Sequence, residues 1–208
     1  MTETYFETDE YRDVLFSLRH CVMCAKAAPN DPSFWKWAII SFHNALQGAL
    51  VCFLSGTQQL GSLRADDGKI WLEYQKNHGD GREPGPTDRR LAPIRVLFER
   101  VTTGKQLGKK GAPIEWVKDR DFTPICFDDN GFEYLVSLRN SLSHFVPSGW
   151  SIEISELPAI IGNLAKLIEK IHEEGWAFRH LTDEEHLELR ALLHFLTEQA
   201  TAPFPLFD

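Results

Sequence analysis

Apolar residues recur at intervals of three and four along most of the chain, which is the spacing of amphipathic α-helices. The first such run follows Thr8–Glu10, a predicted N-cap with acidic residues in the first turn, and ends before Pro29. A second run opens at Asp31 and continues to Phe53. It is apolar on nearly every side, so we expect it to form the central buried helix.

The same spacing predicts further helices, at Ile70–Tyr74, Pro93–Val101, Phe132–Phe145, Leu157–Ile171 and Leu187–Leu196. Asp128–Asn130 is predicted to cap the helix that follows it, and Thr182–Glu185 to cap the last one. Residues 150–154 alternate with period two, which indicates a short strand or an extended return. The sum is an all-α bundle of about six or seven helices with one short extended segment.

Length and charge limit the classes of protein. The 208 residues suit one domain over 1–208, with a core at about 9–173 and a C-terminal helix and apolar tail at 181–208. The net charge of −8 argues against a general nucleic-acid coat protein. The charge is unevenly distributed, because residues 82–120 carry a local net charge of +5 and residues 151–208 a local net charge of −7. We expect no signal peptide and no membrane span, and therefore a cytoplasmic protein.

Four cysteines are present, at positions 21, 24, 52 and 126. Reduced cysteines that pack as apolar residues are the expected form in the cytoplasm. Cys21 and Cys24 have the C-x-x-C spacing of some zinc and redox sites, but no second pair of ligands and no βαβ pattern accompany them. We therefore favour core packing over a metal or redox site, and predict neither a metal nor a cofactor.

The most informative segment is Arg139-Asn140-Ser141-Leu142-Ser143-His144, near the end of a predicted helix. Arg139 and His144 are five residues apart, so a regular helix places them roughly 140° apart and about 7.5 Å along the axis. Arg139 shares a face with Ser143, and Asn140 with His144. The arginine and histidine therefore meet only if the helix end loosens or if a second chain supplies the partner residue.

These residue types suit phosphodiester chemistry. Histidine gives and takes protons near neutral pH, and arginine presents a permanently charged planar fork to phosphate oxygens. Cleavage of RNA by its own 2′-hydroxyl requires a base, an acid and a group that stabilises the charged phosphorane. Two chains that meet along this helix would supply two copies of each residue. A second interpretation is structural: Arg139 pairs with an acidic neighbour such as Asp128 or Glu133, and His144 ends the helix.

The segment resembles the R-x4-H signature of the HEPN superfamily (higher eukaryotes and prokaryotes nucleotide-binding domains), including the polar residue after the arginine. The resemblance implies a helical bundle and a homodimer with the motif at its interface. It also implies a metal-independent endoribonuclease of a toxin–antitoxin, defence or RNA-processing system. Arg139 and His144 match the catalytic pair, and Asn140 matches the supporting residue. Ser143 is a further candidate for a supporting role. Some members of the superfamily have lost catalysis and bind proteins, such as an antitoxin.

Two other polar groups are candidates for binding. His43, Asn44 and Gln47 interrupt the apolar second helix, and they form either a satisfied core network or a group that orients His144 or binds phosphate. Lys105, Lys109 and Lys110 lie in a glycine-containing loop that lacks the spacing of a P-loop. They are candidate substrate-binding residues. The alternative functions are therefore a catalytically inactive protein-binding module and a nucleotide-binding protein.

Overall fold

Seven α-helices lie in the part of the chain that the structure, a computed structural model, describes. The described residues are 5–55, 60–78, 85, 89–105, 123–128, 131–144, 149 and 151–199. The helices are α1 (Glu10–Ala27), α2 (Phe34–Leu54), α3 (Ala65–Asn77), α4 (Ile94–Thr103), α5 (Phe132–Ser143), α6 (Leu157–Glu173) and α7 (Asp183–Gln199). These residues contain one isolated β-bridge and no strand. The predicted all-α fold is confirmed.

The chain divides into two compact units, and the boundary falls inside α2. The first unit comprises Met1–Ala49 and Asp128–Asp208, and the second comprises Leu50–Phe127. The first unit thus contains α1, most of α2 and all of α5, α6 and α7. The expectation of a single domain over residues 1–208 stays a prediction.

Helices α1 and α7 begin at the caps that the sequence predicts. Asp9 is the N-cap of α1, and its carboxylate accepts a hydrogen bond from the backbone N–H of Arg12. At the start of α7, the N–H of Glu185 donates to the hydroxyl of Thr182, and the Glu185 carboxylate accepts from the N–H of Thr182. This reciprocal pair is a capping box, which satisfies two otherwise unpaired backbone donors.

The long apolar helix α2 begins later than predicted but is buried as predicted. It starts at Phe34 rather than Asp31, because Asp31 forms a turn in which its carboxylate accepts from the N–H of Ser33. Its inner side chains, which include Ile39, Phe42 and Leu46, are fully buried. Helix α2 is long and apolar enough to cross a membrane, yet 67% of its most apolar stretch is buried inside the fold. That burial is the pattern expected of a core helix.

In the first unit, α7 packs against both α1 and α6. Arg12 donates to Glu185 over 2.9 Å and Arg19 pairs with Glu188, so two ion pairs link α1 to α7. Between α6 and α7, Nε2 of His172 lies 2.9 Å from Nδ1 of His186. The ring of His186 is half-buried in this contact.

The second unit contains α3 and α4. Helix α3 extends over Ala65–Asn77, well beyond the predicted Ile70–Tyr74. Arg100 of α4 is buried, and its Nη1 donates to the carbonyl oxygens of Gly61 and Leu63 over 2.6 and 2.9 Å. Burial lowers the pKa of Arg100 to about 10, so the guanidinium stays charged at neutral pH.

Three further expectations have different outcomes. Residues 151–154 form neither a helix nor a strand, so of the two alternatives predicted for residues 150–154, a strand or an extended return, the strand is not formed there. Cys21, Cys24 and Cys52 are buried free thiols as predicted, but Cys126 is exposed. Burial, and then proximity to Cys24, raises the pKa of the Cys21 thiol, which keeps it protonated and unreactive. The apolar tail at 202–207 lies outside the described residues.

The helix that carries the motif, α5, begins at a glycine rather than at the predicted acidic cap. Its N-cap is Gly131, which has φ +98°, and no side chain caps the first turn. A Cβ atom at this position would lie 2.7 Å from Cγ2 of Ile160 in α6. Gly131 therefore has two separate roles, since it adopts a left-handed conformation and it allows α5 to approach α6 closely.

We expect Gly131→Ala to lower the free energy of unfolding by about 2–4 kcal/mol, from left-handed backbone strain and overpacking together. Gly175→Ala is the matched control, because Gly175 also has positive φ (+74°) but no atom lies within 4 Å of its added Cβ. It should cost about 1–2 kcal/mol, from backbone strain alone. Urea unfolding measures both. Equal losses would show that the contact with Ile160 contributes nothing.

Candidate functional site

The polar motif occupies the last turn of α5. Five apolar side chains hold this helix in the core, namely Phe132, Leu135, Val136, Leu138 and Leu142. Arg139 and Asn140 are half-buried, whereas Ser143 and His144 are exposed. The motif thus runs from the edge of the core outward to the surface.

Helix α5 ends one residue before the histidine. His144 is the C-cap, with extended backbone angles (φ −109°, ψ 99°), and its N–H donates to the carbonyl of Asn140 over 3.0 Å. The predicted end at Phe145 was therefore two residues late. Because His144 has left the helical conformation, its side chain is not bound by the 140° separation that a regular helix imposes.

Arg139 is held by the residue that follows it. Its Nη1 donates to Oδ1 of Asn140 over 3.1 Å. Its Nε is buried and has no hydrogen-bond partner among the described residues. No carboxylate forms an ion pair with Arg139 within the described ranges, so the expected alternative pairing with Asp128 or Glu133 is not formed there.

On α2, His43 is affected by the charge of Arg139. Its side chain is almost completely buried, with 3% of the residue exposed, and its Nδ1 has no partner among the described residues. Burial, and then the positive charge of Arg139, lowers the pKa of His43 to about 4, whereas an interaction with Asn44 acts in the opposite direction. His43 is therefore neutral at pH 7. The core-network interpretation of His43 stays a prediction.

The structure brings some of the predicted site residues together. Arg139 and Asn140 are in contact, the charge of Arg139 acts on His43, and Asn44 is exposed beside His43 on α2. Gln47 is half-buried one turn further along α2, and Ser143 is exposed at the end of α5. The Arg139 side chain donates to Asn140 and not to His144.

The predicted lysine loop is only partly described. Lys105 is exposed after α4 in the second unit, and its backbone N–H donates to the hydroxyl of Thr103. Lys109 and Lys110 lie outside the described residues. Their role in substrate binding stays a prediction.

Across the described part of the chain, no group of three or more histidine, cysteine, aspartate or glutamate residues is arranged to hold a metal ion. Cys24 Sγ lies 3.7 Å from Nε2 of His20, and Nδ1 of that ring lies 2.6 Å from the Ser41 hydroxyl. This polar contact between α1 and α2 was not expected. Only the i,i+4 spacing of His20 and Cys24 on one helix indicates it in the sequence.

The buried neutral state of His43 predicts a pH-dependent stability. Its pKa is about 4 in the folded protein against an ordinary 6.5, so the unfolded chain binds the proton more readily. The stabilisation is therefore complete above about pH 6.5 and is lost as pH falls toward 4, by up to about 3 kcal/mol.

Urea unfolding at pH 8, 6 and 4 measures this loss, with His43→Leu as the comparison. As pH falls from 8 to 4, the free energy of unfolding should decrease more for wild type than for His43→Leu, because leucine takes up no proton. If the two stability curves stay parallel between pH 8 and 4, His43 does not titrate with a lowered pKa.

Comparison of the chain with family models, curated proteins and solved structures finds no match.

Proposed function

We propose that this chain is a HEPN-type helical protein that cleaves RNA without a metal ion. One observation carries the proposal: Arg139 is a half-buried guanidinium with no carboxylate partner among the described residues, one turn before the exposed His144. Arginine is almost never fully buried unless it is paired. A half-buried arginine without a carboxylate partner is suited to bind an anionic ligand.

The proposed roles follow from the position of each residue. Arg139 binds the scissile phosphate and stabilises the negative charge that builds up on the phosphorane. Asn140 accepts from Nη1 of Arg139 and so orients the guanidinium. His144, exposed beyond the helix end, transfers a proton during attack by the 2′-hydroxyl.

The reaction needs both a base for the 2′-hydroxyl and an acid for the leaving 5′-oxygen. One chain supplies a single histidine in the motif. We therefore propose a homodimer in which two copies of the motif meet, as the resemblance to the HEPN superfamily implies. We also propose that the protein binds an antitoxin and is located in the cytoplasm.

The activity is tested by incubating purified protein with a mixed-sequence RNA in EDTA. A double variant, Arg139→Ala with His144→Ala, purified in parallel, measures the background from contaminating nucleases. We expect wild type alone to produce fragments, at the same rate with or without added Mg²⁺. Equal fragmentation by both preparations would favour the catalytically inactive binding module, and a requirement for Mg²⁺ would exclude the proposed chemistry.

A further inference from the structure

A cavity of about 420 Å³ lies between the N-terminal ends of α5 and α6, within the first unit. Its volume is in the range of about 300–1,000 Å³ that is usual for sites that bind small ligands. Residues from the start of both helices line it, namely Gly131, Tyr134, Glu156, Ala159, Ile160 and Asn163. The roles proposed for the motif at the other end of α5 leave this cavity unused.

The apolar part of the lining suits a flat ligand. Tyr134 of α5 is 40% exposed, so its aromatic ring is accessible at the surface of the cavity. Helix α6 contributes the aliphatic side chains of Ala159 and Ile160. Proteins that bind a nucleobase out of its stack hold it in the same way, between aromatic and apolar side chains.

The polar part of the lining selects the chemistry of the ligand. Among the described residues that line the cavity, Glu156 alone is charged, and its carboxylate repels phosphate but accepts from an amino group. Oδ1 of Asn163 accepts from Nζ of Lys166 over 3.3 Å, which leaves the amide N–H groups of Asn163 for a ligand. Adenine, cytosine and guanine each present an amino donor on their edges, whereas a base of the thymine or uracil type presents a carbonyl there.

The exposed side of α5 connects this cavity to the proposed reaction site. Four exposed residues follow one another along it at helical spacing, namely Tyr134, Ser137, Ser141 and His144. Ten residues of helix separate the first from the last, a distance of about 15 Å along the axis. The two residues between them are small serines, so no large side chain on this face blocks an extended strand that runs from one to the other.

We propose that the cavity binds one base of the RNA substrate, a few nucleotides from the scissile phosphate. Tyr134 stacks on the base, Glu156 accepts from its amino group, and Asn163 donates to an acceptor on the same edge. The inference rests on the proposed function, from which it takes RNA as the ligand. It makes Tyr134 and Glu156 the residues that determine specificity, with adenine, cytosine and guanine preferred to uracil.

Homopolymeric 2′-O-methyl oligonucleotides of adenine, cytosine and uracil are the probes for a direct test. They have no free 2′-hydroxyl, so they stay intact while fluorescence anisotropy measures their binding. We expect the adenine and cytosine oligonucleotides to bind about ten- to a hundredfold more tightly than the uracil oligonucleotide, the effect of one hydrogen bond to a charged group. Equal affinity for all three would overturn the inference.

Variants of the two specificity residues test their separate roles. Tyr134→Ala should weaken the binding of all three oligonucleotides by about 5- to 150-fold, the effect of losing one stacked base, whereas Tyr134→Phe keeps the ring and should bind as wild type does. Glu156→Ala should weaken the binding of the adenine and cytosine oligonucleotides only. Glu156 forms no side-chain hydrogen bond as N-cap of α6, so its loss should leave the helix intact.

The matched controls remove similar side chains from another surface of the same unit. Leu187→Ala removes an exposed apolar side chain on α7, and Glu184→Ala removes an exposed carboxylate from the first turn of that helix. Both should bind the three oligonucleotides as wild type does. Loss of the base preference in Glu156→Ala with unchanged affinity for the uracil oligonucleotide supports the inference, because a general loss of structure would lower all three affinities.

The outcomes distinguish this inference from the proposed function. If the base preference survives in Glu156→Ala, or if Tyr134→Ala binds as wild type does, the inference is overturned and the cavity is left to a protein partner. Because the probes are not cleaved, a base preference that depends on Tyr134 and Glu156 in a protein that cuts no RNA supports the site and removes the ribonuclease function. RNA cleavage without any base preference does the reverse.

Discussion

Arg139→Ala is expected to lower the rate of RNA cleavage by about 10³- to 10⁵-fold, the range measured when a transition-state arginine is lost from phosphoryl-transfer enzymes. The guanidinium has no carboxylate to neutralise it among the described residues, so its full charge is available to the phosphorane. Removal of the side chain also leaves Asn140 without the group it orients. Single-turnover cleavage in EDTA measures the effect.

Two control variants define the role of Arg139. Arg139→Lys keeps the charge but loses the planar fork, so we expect an intermediate rate. Arg190→Ala, at an exposed position on α7, removes an equal charge from the same unit and should leave the rate unchanged. If Arg139→Ala cleaves RNA within a few-fold of wild type, while circular dichroism shows an intact fold, Arg139 is not the phosphate ligand.

His144→Ala is expected to lower the rate by about 10²- to 10⁴-fold, the usual contribution of a positioned acid or base. The fold should persist, because His144 is exposed and α5 ends at Ser143. The same single-turnover assay measures this loss, and the thermal unfolding temperature should stay within a few degrees of wild type.

The matched control for this variant is His194→Ala, which removes an exposed histidine on α7. It should cleave RNA at the wild-type rate. A His144→Ala protein as active as the His194→Ala protein would assign the proton transfer to another residue. A loss of activity that accompanies unfolding would instead point to a structural role at the end of α5.

Helix positions were predictable where the signal was local. The caps at Asp9 and Thr182–Glu185 use a side chain within three residues of the backbone group that it satisfies, so the sequence displays them directly. The start of α5 at Phe132 was predicted, but its cap was mispredicted because the acidic Asp128–Asn130 resembles a cap. The actual N-cap, Gly131, is required by contact with Ile160, which lies 29 positions away in the sequence.

The candidate site was likewise predictable only where its residues are close together in the sequence. The motif from Arg139 to His144 lies within six residues, so both its chemistry and its position near a helix end are visible in the sequence. The effect of the Arg139 charge on His43 is not, because the two residues lie on different helices far apart in the sequence. The contact of His172 with His186 was missed for the same reason, since it joins two different helices.

The chemical nature of the RNA ends tests the central claim most directly. Wild-type protein and His144→Ala are incubated in EDTA with one defined RNA, in all-ribose form and with every 2′-hydroxyl methylated, and the products are identified by mass spectrometry. We predict that wild type cuts only the all-ribose RNA and leaves a 2′,3′-cyclic phosphate and a 5′-hydroxyl, whereas His144→Ala leaves both substrates intact. Cleavage of the methylated RNA, or 5′-phosphate ends, would contradict attack by the 2′-hydroxyl at the Arg139–His144 site.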